Sequence, residues 1–175
     1  MNYLSPAQVK ALLDVYEDPA KRLLLRILYF TGCRVSEALA LTPRHVDPDR
    51  RVVTLPALKV KGRVSKLAVL DPETMRLTQL FIKARRISKD RPIFDFDRWR
   101  AWYIVKTAGE SIGVKELHPH TLRHSFATHW AAGGGNMQKL QRQLGHKKLQ
   151  TTTDMYIEFA TEDIRQDYDR IFKEE

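Results

Sequence analysis

Four of the chain's six histidines fall between His118 and His129, in the run His118-Pro119-His120-Thr121-Leu122-Arg123-His124-Ser125-Phe126-Ala127-Thr128-His129. Two chemistries could use that density. His120 and His124 are four apart and would share a helix face as zinc ligands do. No glutamate lies between them, however, and Cys33 is the only cysteine, so an anionic ligand would have to come from a distance. Alternatively, His120 and Arg123, three apart and neighbours on a helix, act together on a phosphate. The arginine fork binds two phosphate oxygens while the imidazole exchanges a proton near neutral pH. Three other places offer similar groups. Thr31-Gly32-Cys33-Arg34-Val35-Ser36-Glu37 puts an arginine in the turn before a helix, where backbone amides also favour anions; a salt bridge from Arg34 to Glu37 is the plainer use of those residues. Leu144-Gly145-His146 puts a histidine at a glycine turn ahead of Lys147 and Lys148, suited to a phosphate or simply to a helix C-terminus. Ten residues on, Tyr156 closes the run Thr151-Thr152-Thr153-Asp154-Met155, where packing beside Ile157 and Phe159 would equally account for it.

These groups need elements to hold them. Ser5-Pro6-Ala7-Gln8 reads as a capping box with proline at the first helical position, and Val9, Leu12, Leu13 and Tyr16 follow at helical spacing. A second helix begins near Pro19, runs through the apolar stretch Leu23 to Phe30 and stops at Gly32, which tolerates a left-handed backbone. Ser36 suits the cap of a short third helix through Leu41. Arg51 to Leu55 alternates as a strand does, and Leu58 to Leu70 reads as a hairpin turning at Gly62-Arg63, with lysines near its tip. Further helices are expected from Asp71 to about Ile87, from Asp97 through Trp99, Trp102, Tyr103 and Val105, over His120 to Ala132, Asn136 to Leu144, and Thr161 to Phe172. The expected class is α+β, mostly α-helical, with a small antiparallel β-sheet and no internal repeat or linker.

At 175 residues with 43% hydrophobic content, the chain is long enough for one domain with its own core. The longest apolar run is broken by Arg26 and too short to span a bilayer. With no leader-like start and a single cysteine, membrane insertion, secretion and internal disulfides are not expected; a cytoplasmic, nucleoid-associated location is. Thirty Lys and Arg against 21 Asp and Glu give +9. The excess is uneven: residues 158–175 hold seven acids and three bases, so residues 1–157 carry 27 bases against 14 acids, or +13. A polyanion partner, nucleic acid foremost, would neutralise such a body.

Taken in order, Thr31-Gly32-x-Arg34-x-Ser36-Glu37, the lysine hairpin, the block from His120 to His129, Leu144-Gly145-His146 and a tyrosine ten residues later resemble the tyrosine recombinase or phage integrase family, closest to its Xer-like branch. The resemblance spans residues 4 to 172. It implies the recombinase catalytic fold over residues 1–175, and a DNA-cleaving and rejoining enzyme that works through a covalent 3′-phosphotyrosine without metal, ATP or other cofactor. The partners it implies are double-stranded DNA, further copies of the chain in a tetramer on DNA, and accessory recombination proteins. It also implies that Arg34, Lys61, His120, Arg123 and His146 surround the scissile phosphate, with Tyr156 the nucleophile. Elementary chemistry agrees with those roles. Two guanidinium forks can hold the charge on the non-bridging oxygens. A phenol of pKa ~10 needs a proton acceptor, for which His120 is the candidate, and a hairpin lysine can protonate the departing 5′ oxygen. His146 would donate to a phosphate oxygen or position Tyr156, while His124 and His129 are read as packing or phosphate contacts.

Two features depart from the family pattern. The hairpin carries Val60-Lys61-Gly62-Arg63-Val64-Ser65-Lys66 where Gly-Lys-Gly-x-Lys-x-Arg is common, leaving Lys59 and Lys66 as alternatives to Lys61. The N-terminal helical clamp domain is expected to be absent, because Tyr3-Leu4-Ser5-Pro6 stands where the catalytic domain would begin. A non-catalytic DNA-binding derivative of a recombinase is the alternative reading.

Overall fold

The structure, a computed structural model, describes residues 3–56 and 65–145. Lys59, Lys61, His146, Tyr156 and the helix expected over 161–172 lie outside the described residues. Those described form α1 (Pro6–Leu13), α2 (Pro19–Thr31), α3 (Val35–Leu39), a 3-10 turn (Pro43–His45), β1 (Val46–Asp47), β2 (Val52–Leu55), β3 (Lys66–Val69), α4 (Pro72–Ala84), α5 (Arg98–Ser111), α6 (Pro119–Ala132) and α7 (Met137–Leu144).

Short polar side chains start most of these helices. The Ser5 hydroxyl accepts from the Gln8 amide at 3.2 Å while the Gln8 side chain accepts from the Ser5 amide at 2.8 Å. Asp18, Asp71, Asp97 and Asn136 cap α2, α4, α5 and α7 by their side chains alone, each accepting from backbone amides of the first turn. Helix α2 is the hub. Leu23, Leu24, Leu25, Ile27, Leu28 and Tyr29 are all buried, so it is covered almost all round, by α1, α3, α4, α5, α6 and β3. Arg26, the residue that interrupts its apolar run, is satisfied by α4: its guanidinium donates to Thr74 Oγ1 at 2.9 Å and to the Asp71 carboxylate at 3.0 Å.

The sheet is antiparallel in the order β1-β2-β3, with Val53 opposite Ala68 and Leu55 opposite Lys66. Strand alternation puts Val53, Leu55 and Ala68 in the core and leaves Leu67 and Val69 exposed. Lys66, two residues from Ala68, therefore stands on the core-facing side.

Several expectations are corrected. The strand Lys66–Val69 pairs with the earlier strand Val52–Leu55; the arm expected at Leu58–Lys61 and the turn at Gly62-Arg63 lie outside the described residues. Helix α3 starts one residue before Ser36, with Arg34 at its N-cap position, and ends at Leu39. Helix α4 ends at Ala84, short of Ile87. The two-residue β1 was not anticipated, being too short to carry a period. Among the described residues no helix is long and apolar enough to cross a membrane.

Candidate active site

The site is organised by two helix ends that meet. Gly32 and Gly145 terminate α2 and α7 with left-handed backbones, φ 60° and 68°, which a side chain would strain. They also leave no room for one. A Cβ on Gly32 would sit 2.6 Å from Leu144 Cδ2 and 2.9 Å from Phe126 Cδ1, and one on Gly145 would sit 2.6 Å from Lys66 Cδ. Arg123, from α6, bridges the two ends: one terminal nitrogen donates to the Gly32 carbonyl and the other to the Leu144 carbonyl, the latter at 2.9 Å. The residue is only 6% exposed. A planar fork fixed at both tips has one orientation, and the carbonyls it holds are orphans of the last helical turns. Burial first, then Arg34, push its guanidinium down to about 10, still charged at neutral pH.

Glu37 ties the next layer. Buried on α3, it accepts from the Arg34 amide at 2.9 Å through one carboxylate oxygen, which also receives Lys66 Nζ at 2.9 Å. Its other oxygen meets Arg34 Nη1 at a longer 3.3 Å. Burial alone would raise this carboxyl, but the Arg34 amide and the Lys66 ammonium outweigh it and hold it below the usual carboxylate range. Lys66 also donates to the Leu144 carbonyl at 2.9 Å, so that oxygen receives both Lys66 and Arg123. Burial pulls Lys66 below the ordinary lysine value while Glu37 opposes the shift.

Arg34 is freer, its side chain 34% exposed, and it opens onto a cleft of about 320 Å³ lined also by Ser36, Arg98, Trp102, His118 and His120. Two arginines and two histidines face this space, and none of its described lining residues is acidic. His120 is held below the usual 6.5 by partial burial and then by the charges of Arg123, His118, Arg34 and Arg98. An imidazole that stays neutral beside guanidinium groups is equipped to accept a proton. Cys33 also borders the cleft, but burial pushes its thiol up to about 11, which removes it as a nucleophile at neutral pH.

The structure thus brings Arg34 and His120 to one cleft and sets the buried Arg123 behind it, close enough for its charge to act on both; Lys61, His146 and Tyr156 lie outside the described residues. The remaining clustered histidines separate. His124 faces a second hollow of about 440 Å³ beside Tyr3, Gln8 and Thr121, and His129 Nδ1 shares a 2.7 Å hydrogen bond with the Tyr29 hydroxyl. Among the described residues no three His, Cys, Asp or Glu side chains converge as a metal site. Lys66, the alternative proton donor, is fastened at its ammonium. Sequence reasoning missed Glu37 as a hub, having seen only its pairing with Arg34; its position three residues past Arg34 was the available signal. It also missed Arg98 and Trp102 on the cleft wall, whose i,i+4 spacing on one helix face was legible.

The profile of the phage integrase family matches residues 2–163. The tyrosine recombinase XerD of Bifidobacterium longum is 36% identical over 162 residues, covering 83% of this chain and 51% of that protein. The chain therefore spans about half the length of this curated relative. Among solved structures, a XerA recombinase superposes with a TM-score of 0.83 at 24% identity, covering 97% of this chain and 65% of that one. The Tn1549 transposon integrase, in complex with transposon right end DNA, superposes with a TM-score of 0.73 at 22% identity, covering 96% and 65%. The chain belongs to the phage integrase family of tyrosine recombinases, on its Xer-like side, and carries the fold of that family's catalytic domain.

Proposed function

We propose that the chain is the catalytic domain of a site-specific recombinase or integrase that cleaves and rejoins double-stranded DNA through Tyr156. The observation that carries this reading is the immobilised fork of Arg123 next to a cationic cleft lined by Arg34 and His120. Fixed guanidinium groups stabilise charge that develops on non-bridging oxygens without reorganising as it appears.

In the proposed step the Tyr156 phenol oxygen attacks phosphorus and its proton passes to His120. The bond from phosphorus to the 5′ oxygen breaks, and Lys61 protonates the departing oxygen. The product is a 3′-phosphotyrosine and a free 5′ hydroxyl, and the reverse attack by a 5′ hydroxyl restores the diester. Because the ester conserves the bond energy, rejoining requires no nucleotide hydrolysis. His146, which follows Gly145 in sequence, is assigned to a phosphate oxygen or to Tyr156. DNA is the partner favoured by the +13 body and by the transposon integrase that shares this fold and holds DNA. We assign a tetramer on DNA as the working assembly, in the cytoplasm. Binding should weaken with salt, by about 0.9 log units per log unit of salt for each phosphate contact.

A nicked suicide duplex tests the reading: after cleavage the short downstream product diffuses away and traps the adduct. Wild-type protein should give a denaturation-resistant protein–DNA band that Tyr156→Phe abolishes. An equal band from Tyr156→Phe would assign the nucleophile to another side chain and overturn the role of Tyr156, whereas no band from wild type on any duplex bearing its site would favour the non-catalytic DNA-binding alternative.

A further inference from the structure

A lysine on the core-facing side of a strand is an unusual placement, and the geometry around Lys66 gives it a use. Its ammonium joins three segments otherwise distant in sequence: Glu37 of α3 at 2.9 Å, the Leu144 carbonyl at the end of α7 at 2.9 Å, and its own strand β3. Each contact touches a neighbour of the cleft. The Glu37 oxygen that receives Lys66 also receives the Arg34 amide, leaving the other oxygen for the longer 3.3 Å contact with the Arg34 guanidinium. The Leu144 carbonyl is the one that fixes Arg123. Alongside, Gln143 repeats the fastening: its side-chain oxygen accepts from the Val69 amide and its nitrogen donates to the Val69 carbonyl, both at 3.1 Å, pinning α7 to β3. The Lys66 side chain is 12% exposed, so its nitrogen lacks the freedom to reach a leaving group.

We infer that Lys66 is a positioning residue for the DNA-cleaving reaction: by occupying Glu37 it keeps the Arg34 guanidinium turned toward the cleft, and by sharing the Leu144 carbonyl it sets the plane of Arg123. The inference rests on the recombinase reading for its kinetic consequence but not for its structural one. Without the ammonium, Glu37 would be left with Arg34 as its cationic partner and would draw that guanidinium in. Arginine at position 66 carries the same charge on a stem of similar length and preserves the arrangement, whereas a proton donor replaced by arginine would lose its chemistry.

The test compares Lys66→Arg, Lys66→Met and Lys66→Gln on two suicide duplexes, one normal and one whose scissile 5′ bridging oxygen is sulfur, which leaves without a proton. At saturating DNA, Lys66→Arg is expected to form adduct within about threefold of wild type on the normal duplex. The neutral variants should lose at least tenfold in single-turnover rate while binding DNA within threefold, and sulfur should not restore them. Loss of cleavage in Lys66→Arg, or rescue of any variant by sulfur, would overturn the inference in favour of a proton donor; neutral variants as fast as wild type would overturn it outright. If neither neutral variant folds, the Lys66→Arg comparison still decides. If wild type forms no adduct, the recombinase reading fails separately and the test moves to the Arg34 side-chain Nε–Hε NMR resonance of the free protein. That resonance should shift in a neutral variant and return in Lys66→Arg; an unmoved resonance would refute the positioning role.

Discussion

Gly145→Ala should destabilise the domain through two separable effects. The left-handed backbone at φ 68° costs an L-residue about 1 to 2 kcal/mol. The new methyl would also lie 2.6 Å from Lys66 Cδ, with Cε and Nζ only 3.5 and 3.4 Å away, so the lysine stem must move by about an ångström to reach ordinary carbon contact. A loose lysine would do so freely, but this one is pinned at its tip to Glu37 and to the Leu144 carbonyl. Overpacking against such a fixed group costs about 1 to 3 kcal/mol. The total of about 2 to 5 kcal/mol is a large share of a typical domain's stability. Urea denaturation of a double-mutant cycle separates the two effects. In a Lys66→Ala background the stem is gone, and Gly145→Ala should cost only the backbone part, leaving a coupling of about 1 to 3 kcal/mol. An identical cost in both backgrounds would refute the claim that Lys66 is clamped against the turn and leave the left-handed backbone as the sole reason for the glycine.

Three further outcomes follow from the same geometry. Arg123→Lys supplies one ammonium where a fork spans two carbonyls, so the link between the two helix ends is broken; stability should fall by about 1 to 3 kcal/mol and adduct formation by about a hundredfold or more, both read from one preparation by denaturation and suicide-substrate kinetics. Burial pulls His120, His124 and His129 below their usual 6.5, so the unfolded chain takes up protons first and stability should drop as pH falls through 6.5 toward the folded values; an NMR midpoint for His120 above 6.5 in the free protein would contradict this. Gly109→Ala should destabilise strongly, because its Cβ would meet Leu117 Cβ at 2.3 Å and the Val114 carbonyl oxygen at 2.8 Å, and thermal unfolding would check it.

Much of this molecule was legible where the signal is local. Ser5-Pro6, Asp71-Pro72, Asp97 and Asn136 announced helix starts because a short polar side chain satisfies nearby amides whatever surrounds it. Gly32 announced a helix end for a similar reason, and the spacing of His120 and Arg123 put them on one face. The start of α3 was misread because Ser36 has the composition of a cap, whereas Glu37 reaches back to the Arg34 amide and takes that work from farther inside the helix. The joining of Glu37, Lys66, Leu144 and Arg123 had no sequence signature: its members come from four elements, and only tertiary packing reveals that a strand lysine and a helix arginine both donate to one helix-end carbonyl. The pairing partner of β3 was hidden likewise, since alternation shows which side chains face inward but not which strand lies beside them.

Which oxygen of this chain becomes bonded to DNA decides the chemistry. Mass spectrometry of the peptide recovered from a trapped adduct reports it: the expected result is a single nucleotide-modified peptide with the phosphodiester on the Tyr156 phenol and the DNA joined through its 3′ phosphate. Attachment at a different side chain, or through a 5′ phosphate, would contradict it.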